Sequence, residues 1–280
     1  MTVPVSRIPT TARSTSEFDD DLEFATAIAL TAGRLVMERY ERVERVDYKS
    51  ARDIVTEVDH LSEELIIDAI RARFPDDAIL AEESGAHPAS KGEAPTSGTG
   101  RVWIIDPVDG TVNYANGIPF FCVSLGLAVD GRPAAGVVLD PTRNELFAAT
   151  ADGPATLNDR PITASEKDKL TDFVIQMSLS GRSASTRARA VRKEIRISRS
   201  MGSSALALAY VANGRFDAFI QQGGMSNWDI AAAGLIAERA GATVTSIDGG
   251  AWFDIGRGAR VVSALAAPAA HHPRILELVR

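Results

Sequence analysis

The chain has 280 residues, 45% of them hydrophobic, a formal net charge of -7 and a single cysteine. That is enough apolar material for real cores in one large domain or two lobes, and one cysteine excludes an intramolecular disulfide framework. The acidic balance argues against a general binder of polyanions, and no apolar run reaches the roughly 18 to 20 residues that span a bilayer.

Residues 1–18, MTVPVSRIPTTARSTSEF, lack the continuous apolar stretch of a secretory signal and read as a polar, disordered tail. From Leu22 to Tyr40 the apolar residues Leu22, Ala25, Ile28, Ala32, Leu35 and Val36 recur at helical spacing behind the acids Asp19 to Asp21. A second helix starts near Asp59, runs through LSEELIIDAIRARF and stops at Pro75. Short strands are expected at Ala78 to Leu80 and at Val102 to Ile105, with a mobile Gly/Pro/Ser-rich loop over 87–100 between them.

Three strand-like runs follow, Phe120 to Val129, Ala134 to Leu139 and Glu145 to Thr150, and the turn signals DGRP and PTRN between them predict an antiparallel meander. Beyond residue 150 strand-like pieces at Phe173 to Met177 and Ala218 to Ile220 alternate with helices at Ser203 to Ala212 and Asp229 to Arg239. Asn213-Gly214 and Gly241 supply the stops for those helices. The expected organisation is a tail over 1–18, an α+β lobe over 19–150 and an α/β lobe over 151–280. Cys122 sits inside an apolar run and reads as a buried, inert thiol suited to a reducing cytoplasm, and His60, His87, His271 and His272 read as surface residues.

The chemistry concentrates in WIIDPVDGTVNY, residues 103–114. An apolar strand that ends in Asp106, with Pro107 blocking continuation, puts that acid at the carboxyl edge of a sheet, and Asp109 can fold back beside it. Two carboxylates about 4 Å apart repel by roughly 4 kcal/mol at an effective dielectric of about 20, so the pair shares a proton or binds a cation. Gly110 allows close backbone approach to a ligand, and Thr111 opens a segment whose N–H groups suit a phosphate. The alternative is an Asp-Pro turn with the second acid capping a helix. Glu82, in ILAEESG, ends a second strand in an acid, while Asp59 and Asp229 each open a helix and read equally as N-caps. Hard oxygen donors in this number are what Mg²⁺ selects.

The set DIVTEVD, ILAEES, WIIDPVDGTVNY, RSMGSSALALAYVANGRFDAF and NWDIAAAGLIAERAGA closely resembles the inositol monophosphatase family of magnesium-dependent, lithium-sensitive phosphatases, from about residue 22 to 265. The resemblance implies a layered αβαβα sandwich of the inositol monophosphatase and fructose-1,6-bisphosphatase type. Its N-terminal part would be an antiparallel sheet with helices, and its C-terminal part a mixed α/β lobe. It also implies two to three Mg²⁺ per site, with Mn²⁺ as a substitute, Li⁺ as an inhibitor and a cytoplasmic homodimer as the assembly. By the same resemblance Glu82, Asp106 and the carbonyl of Val108 hold one ion; Asp106, Asp109 and Asp229 hold a second; Glu82 reaches a third through water. Phosphate rests on Gly110 and Thr111, and Thr111, oriented by Asp59, works with Glu82 in activating the attacking water.

The implied reaction is hydrolysis of inositol monophosphate or a related polyol or sugar phosphate. Fructose 1,6-bisphosphate, a 3'-phosphoadenosine nucleotide and histidinol phosphate are the alternatives. Gly202, Ser203 and Ser204 fall beside the sugar, although the serines read equally as helix caps. Gln222 stands where members acting on inositol phosphates carry a glutamate, which removes a negative charge there. Seven Arg and Lys residues between Arg182 and Arg199 suggest an RNA or transcription-complex surface. No aromatic residue is interleaved for base stacking, so a solvated or subunit-contact face, and no nucleic-acid partner, is the favoured reading.

Overall fold

The computed structural model describes residues 16–43, 45–50, 53–90 and 94–280. Residues 1–15 of the expected tail and 91–93 of the expected loop lie outside the described residues. Helix α1 (Asp19–Arg39) leads to a hairpin of β1 (Val46–Ser50) and β2 (Asp53–Thr56), then α2 (Glu57–Arg73), β3 (Ala78–Ala81), β4 (Gly85–His87), β5 (Arg101–Asp109) and a short α3 (Thr111–Ala115). The meander follows as β6 (Cys122–Val129), β7 (Arg132–Asp140), β8 (Glu145–Thr150), β9 (Thr156–Leu157) and β10 (Arg160–Pro161). The remaining elements are β11 (Val174–Ser178), α4 (Ala184–Glu194), β12 (Ile197–Arg199), α5 (Ser204–Ala212), β13 (Ala218–Met225), α6 (Asn227–Arg239), β14 (Ala242–Thr245), β15 (Val262–Pro268) and α7 (His272–Val279).

These elements stack in five layers. An eight-stranded sheet, ordered β10-β9-β8-β7-β6-β5-β3-β4, carries α1 and α2 on one face and α5 and α6 on the other. A five-stranded sheet, ordered β12-β11-β13-β15-β14, covers the far side of α5 and α6 and bears α4 and α7 on its outer face. The first sheet is antiparallel except for β3 beside β5, and the second is mixed. The result is the αβαβα sandwich that the sequence resemblance implies, with its expected meander in β6 to β8.

Small residues make the central layer possible. In α6 every residue from Ile230 to Ala237 is buried, because the helix has a sheet on both sides, so it has no polar face to display. Gly136 of β7 lies under it: a Cβ there would stand 2.7 Å from the Cα of Ala232. On the opposite face Gly33 of α1 admits Leu139, whose Cδ2 lies 2.4 Å from where a Cβ would be. Phe18, at the end of the expected tail, packs against this outer core.

Several expectations change. The first sheet continues past Thr150, since β9 and β10 carry it to Pro161. Strand β5 does not stop at Ile105 but runs to Asp109, with one extra residue opposite β6 between Asp106 and Asp109. Proline, which cannot donate to a ladder, is accommodated at such a bulge. His272 is buried at the start of α7, within hydrogen-bonding distance of Thr245 Oγ1 (3.0 Å), and burial lowers its pKa, so it is not a surface histidine. Cys122 is buried, as expected, and burial raises its thiol well above the ordinary range. Among the described residues no helix is long and apolar enough to cross a membrane.

Candidate active site

Strands β3 and β5 run parallel with Ala81 opposite Ile105, so the residues that follow, Glu82 and Asp106, emerge side by side at one sheet edge. The Asp106 carboxylate accepts the Val108 N–H at 3.1 Å, which turns the chain through the bulge and returns Asp109 to the same edge. From the other half of the molecule α6 delivers Asp229. One carboxylate oxygen from each of Asp106, Asp109 and Asp229 can be chosen so that all lie within 4.8 Å of one another. Glu82 hydrogen-bonds to Asp106 and lines the same cavity.

Such crowding is electrostatically unfavourable without compensation. Asp106 is held well above the ordinary carboxylate range, first by burial and then by the charges of Glu82, Asp109 and Asp229. Asp229 is likewise pushed well up, by burial and by Asp109. Asp109 is raised by burial, against the pull of the Ser203 hydroxyl and the N–H groups that open α5. Its Oδ2 accepts from Ser203 Oγ at 2.5 Å and from the Ala205 N–H at 2.7 Å.

A second cluster adjoins this one. Asp59 is fully buried: its Oδ2 accepts the N–H and hydroxyl of Thr56, at 2.9 and 2.6 Å, and its Oδ1 accepts the Thr111 hydroxyl at 2.9 Å. Thr111 Oγ1 also lies 3.0 Å from the Val108 carbonyl, but a hydroxyl has one proton, so donation to Asp59 leaves that carbonyl's lone pairs available. Gly110 supplies the left-handed turn (φ 97°) between β5 and α3, and a Cβ there would crowd Ser203 Cβ at 3.1 Å and the Phe120 carbonyl at 3.2 Å.

The cavity, of about 190 Å³, is lined by Glu82, Asp106, Val108, Asp109, Gly110 and Thr111 from the first half of the chain, and by Gly202, Ser204 and Asp229 from the second. Two expected substrate residues face elsewhere. Ser203 is buried, caps α5 by accepting the Leu206 N–H (3.3 Å) and serves Asp109, so it does not line the cavity. Gln222 points away because side chains alternate along β13: Phe219 joins the inner core with α5 and α6, and Ile220 the outer core with α4 and α7. That alternation puts Gln221 on the inner face, where it accepts from Ser204 Oγ at 3.2 Å, and Gln222 on the outer face, where it accepts from Arg187 at 2.5 Å.

Sequence reading missed other residues that build the site. Glu63 of α2 is buried and accepts the N–H groups of Glu83 and Ser84, at 2.8 and 2.9 Å, which fixes the turn carrying Glu82. Asn113 of α3 donates to the carbonyls of Phe120 and Met201, at 2.7 and 2.8 Å, tying the turn at Gly110 to the segment before α5. Val112, Gly224, Ser226, Trp228 and Arg260 also line the cavity. Glu63 and Arg260 are distant in sequence from the acids they serve and carry no local pattern, whereas Val112, Asn113 and Trp228 lie inside the two motifs already singled out.

The inositol monophosphatase family model matches residues 18–280 of the chain. A relative called Nus factor SuhB, from Pasteurella multocida, is 38% identical over 239 residues, covering 82% of this chain and 86% of its own. The crystal structure of extragenic suppressor protein suhB from Bartonella henselae superposes with a TM-score of 0.85 at 31% identity, covering 94% of this chain and 99% of its own. An inositol monophosphatase from Thermotoga maritima superposes with a TM-score of 0.81 at 32% identity, covering 93% and 96%.

Proposed function

The chain belongs to the inositol monophosphatase family, and on that premise we propose that it catalyses the Mg²⁺-dependent hydrolysis of a small phosphate monoester. Inositol monophosphate or a related polyol or sugar phosphate is the substrate class of this reading. The observation that carries it is the convergence of Glu82, Asp106, Asp109 and Asp229 beside the Thr111–Asp59 pair.

The donor set fits the cation. It offers hard carboxylate oxygens, with the Val108 carbonyl adjoining, and neither histidine nor cysteine is among the described residues lining the cavity. Glu82, Asp106 and Val108 would hold one ion, Asp106, Asp109 and Asp229 another, and Glu82 would help with a third. Bound divalent ions supply charge neutralisation, an acidified water and a counter-charge for the departing oxygen. The chain's residues supply position. Because the Thr111 proton is committed to Asp59, its oxygen accepts a hydrogen bond from the attacking water and aims that water at phosphorus. Gly110 and Thr111 line the cavity at the left-handed turn, and in this reading their N–H groups hold phosphate oxygens.

Phosphate release from a panel of monoesters tests this, with and without Mg²⁺. Turnover that requires Mg²⁺ and disappears in Asp106→Asn is the expected result; no turnover of any ester overturns the reading.

A second reading has its own support. The relatives named Nus factor SuhB raise association with a transcription complex, and this chain exposes Arg182, Arg189, Arg192, Lys193, Arg196 and Arg199 on and around α4 and β12. Salt-sensitive RNA binding that survives Asp106→Asn is its expected signature, and its absence removes that reading. A homodimer in the cytoplasm accompanies the enzymatic reading, with light scattering as the check on subunit number.

A further inference from the structure

We propose that Arg260 recognises a carboxylate on the substrate, so that the site favours phosphate monoesters of hydroxy acids over those of neutral polyols. The inference rests on the phosphatase reading above and narrows its substrate class.

Among the described residues, Arg260 is the one cationic side chain lining the cavity. Its position is built. The Arg260 N–H donates to Ser226 Oγ and its carbonyl accepts from the Gly224 N–H, both at 2.9 Å. Gly224 and Ser226 belong to the passage from β13 into α6, the same passage that delivers Asp229, so the arginine is registered against a metal-site acid. Its backbone is left-handed, with φ 64°. A residue with a Cβ adopts that conformation against steric resistance, where Gly would adopt it freely. Two main-chain hydrogen bonds hold the position regardless, and the side chain there is a long cation.

Arg260 is exposed, whereas Asp106 and Asp109 are buried at the floor. A phosphate seated on the turn at Gly110 and Thr111 therefore directs the rest of the ester toward the rim. The other polar group toward that side, Ser204, is neutral, and so is Gln221 behind it. A neutral polyol would gain ordinary hydrogen bonds from such a rim. A carboxylate would gain charge-assisted, forked bonds from the guanidinium, which are roughly twice as strong. A competing role exists: the positive charge of Arg260 also acts on Asp229, holding its carboxyl lower than its other neighbours would. That role would alter Mg²⁺ dependence for every substrate alike.

Glycerol 2-phosphate and 2-phosphoglycerate separate the two roles, because they share a skeleton and differ by a CH₂OH replaced with a carboxylate. The measured quantity is the ratio of kcat/KM for the acid over the alcohol, at saturating Mg²⁺. The wild type should favour the acid; Arg260→Ala should lower the ratio by about tenfold, mainly through KM for the acid, and Arg260→Lys should restore part of it. A ratio unchanged in Arg260→Ala, or both esters falling in parallel with a weaker Mg²⁺ response, overturns the proposal and leaves the phosphatase reading intact. A wild type that hydrolyses only glycerol 2-phosphate does the same. Hydrolysis of neither ester by the wild type, together with inactivity across the wider panel, removes both.

Discussion

At the start of α2, Thr56 and Asp59 close a capping box; at the start of α6, Ser226 and Asp229 close another. In each the acid at the third helical position accepts the N–H of the cap residue, at 2.9 Å for Asp59 and 2.5 Å for Asp229. The surroundings separate them. Asp59 meets hydroxyls, from Thr56 and Thr111. Asp229 faces Asp109 and Glu82, and burial with those charges pushes its carboxyl well up. One local device thus gives a satisfied carboxylate in one place and a frustrated one in the other, and only the frustrated one calls for a cation.

The largest expected effects come from removing the charge at each. Asp229→Asn should lower phosphatase turnover by roughly a thousandfold or more, since a ligand is lost. In chelator the same variant should melt no lower than the wild type, because the asparagine keeps the cap and relieves repulsion. Asp59→Asn should do the reverse to stability. One amide oxygen cannot serve three donors, so either the cap or the Thr111 bond fails, at about 1 to 2 kcal/mol. If the amide N–H₂ turns to Thr111, that hydroxyl becomes an acceptor there and donates to the Val108 carbonyl instead, which uses up a lone pair that would face water and occupies a carbonyl assigned to the cation. Turnover should then fall by on the order of a hundredfold. Melting curves of opposite sign in chelator are the check; equal losses of stability in both variants would erase the distinction.

A pH series sharpens the same contrast. Asp106 and Asp229 have raised folded-state pKa values, chiefly through burial, so the folded protein holds their protons above the ordinary carboxylate range. Their contribution to stability is present at low pH and is lost as pH rises through the raised values. In chelator the wild-type melting temperature should therefore decline as pH rises above the ordinary carboxylate range, and Mg²⁺ should remove the decline by binding the folded state. A chelated protein with no such decline would mean the carboxylates are not crowded in solution.

The ease of reading these parts from sequence follows the same division. Asp106 and Glu82 were legible because each ends an apolar run, Ile104-Ile105 and Ile79-Leu80-Ala81, and strand ends are where α/β sheets present their chemistry. The layered fold was legible only through the family resemblance: α5 and α6 are buried all round, so neither has the apolar stripe that reveals an amphipathic helix. The five-residue α3 is too short for any periodicity, and the continuation of β5 through Pro107 depends on a bulge that only its partner β6 defines. Ser203 illustrates the limit. As an N-cap it is readable, but its bond to Asp109, 94 residues away, is set by the stacking of layers. Ser203→Ala should cost about 1 kcal/mol in stability and, by removing a donor that lowers the Asp109 carboxyl, weaken Mg²⁺ binding several-fold, measurable by calorimetry.

The smallest expected effects test the adjacent pair Gln221 and Gln222, where sequence position and structural position disagree. Matching by motif selects Gln222, yet the alternation of β13 gives the inner face to Gln221, and the register break between Gln221 and Met225 permits the offset. Gln222→Glu would place a carboxylate against Arg187 and create an ion pair beneath α4, with at most a small gain in stability and no change in KM. Gln221→Glu would place the same charge behind Ser204, beside the cavity. Its KM for a polyol phosphate should fall by about two- to threefold through an added acceptor, while its KM for a doubly anionic ester should rise by a similar factor through repulsion. If instead Gln222→Glu moves KM and Gln221→Glu does not, the strand has slipped by one residue in solution, and the inner face belongs to Gln222 after all.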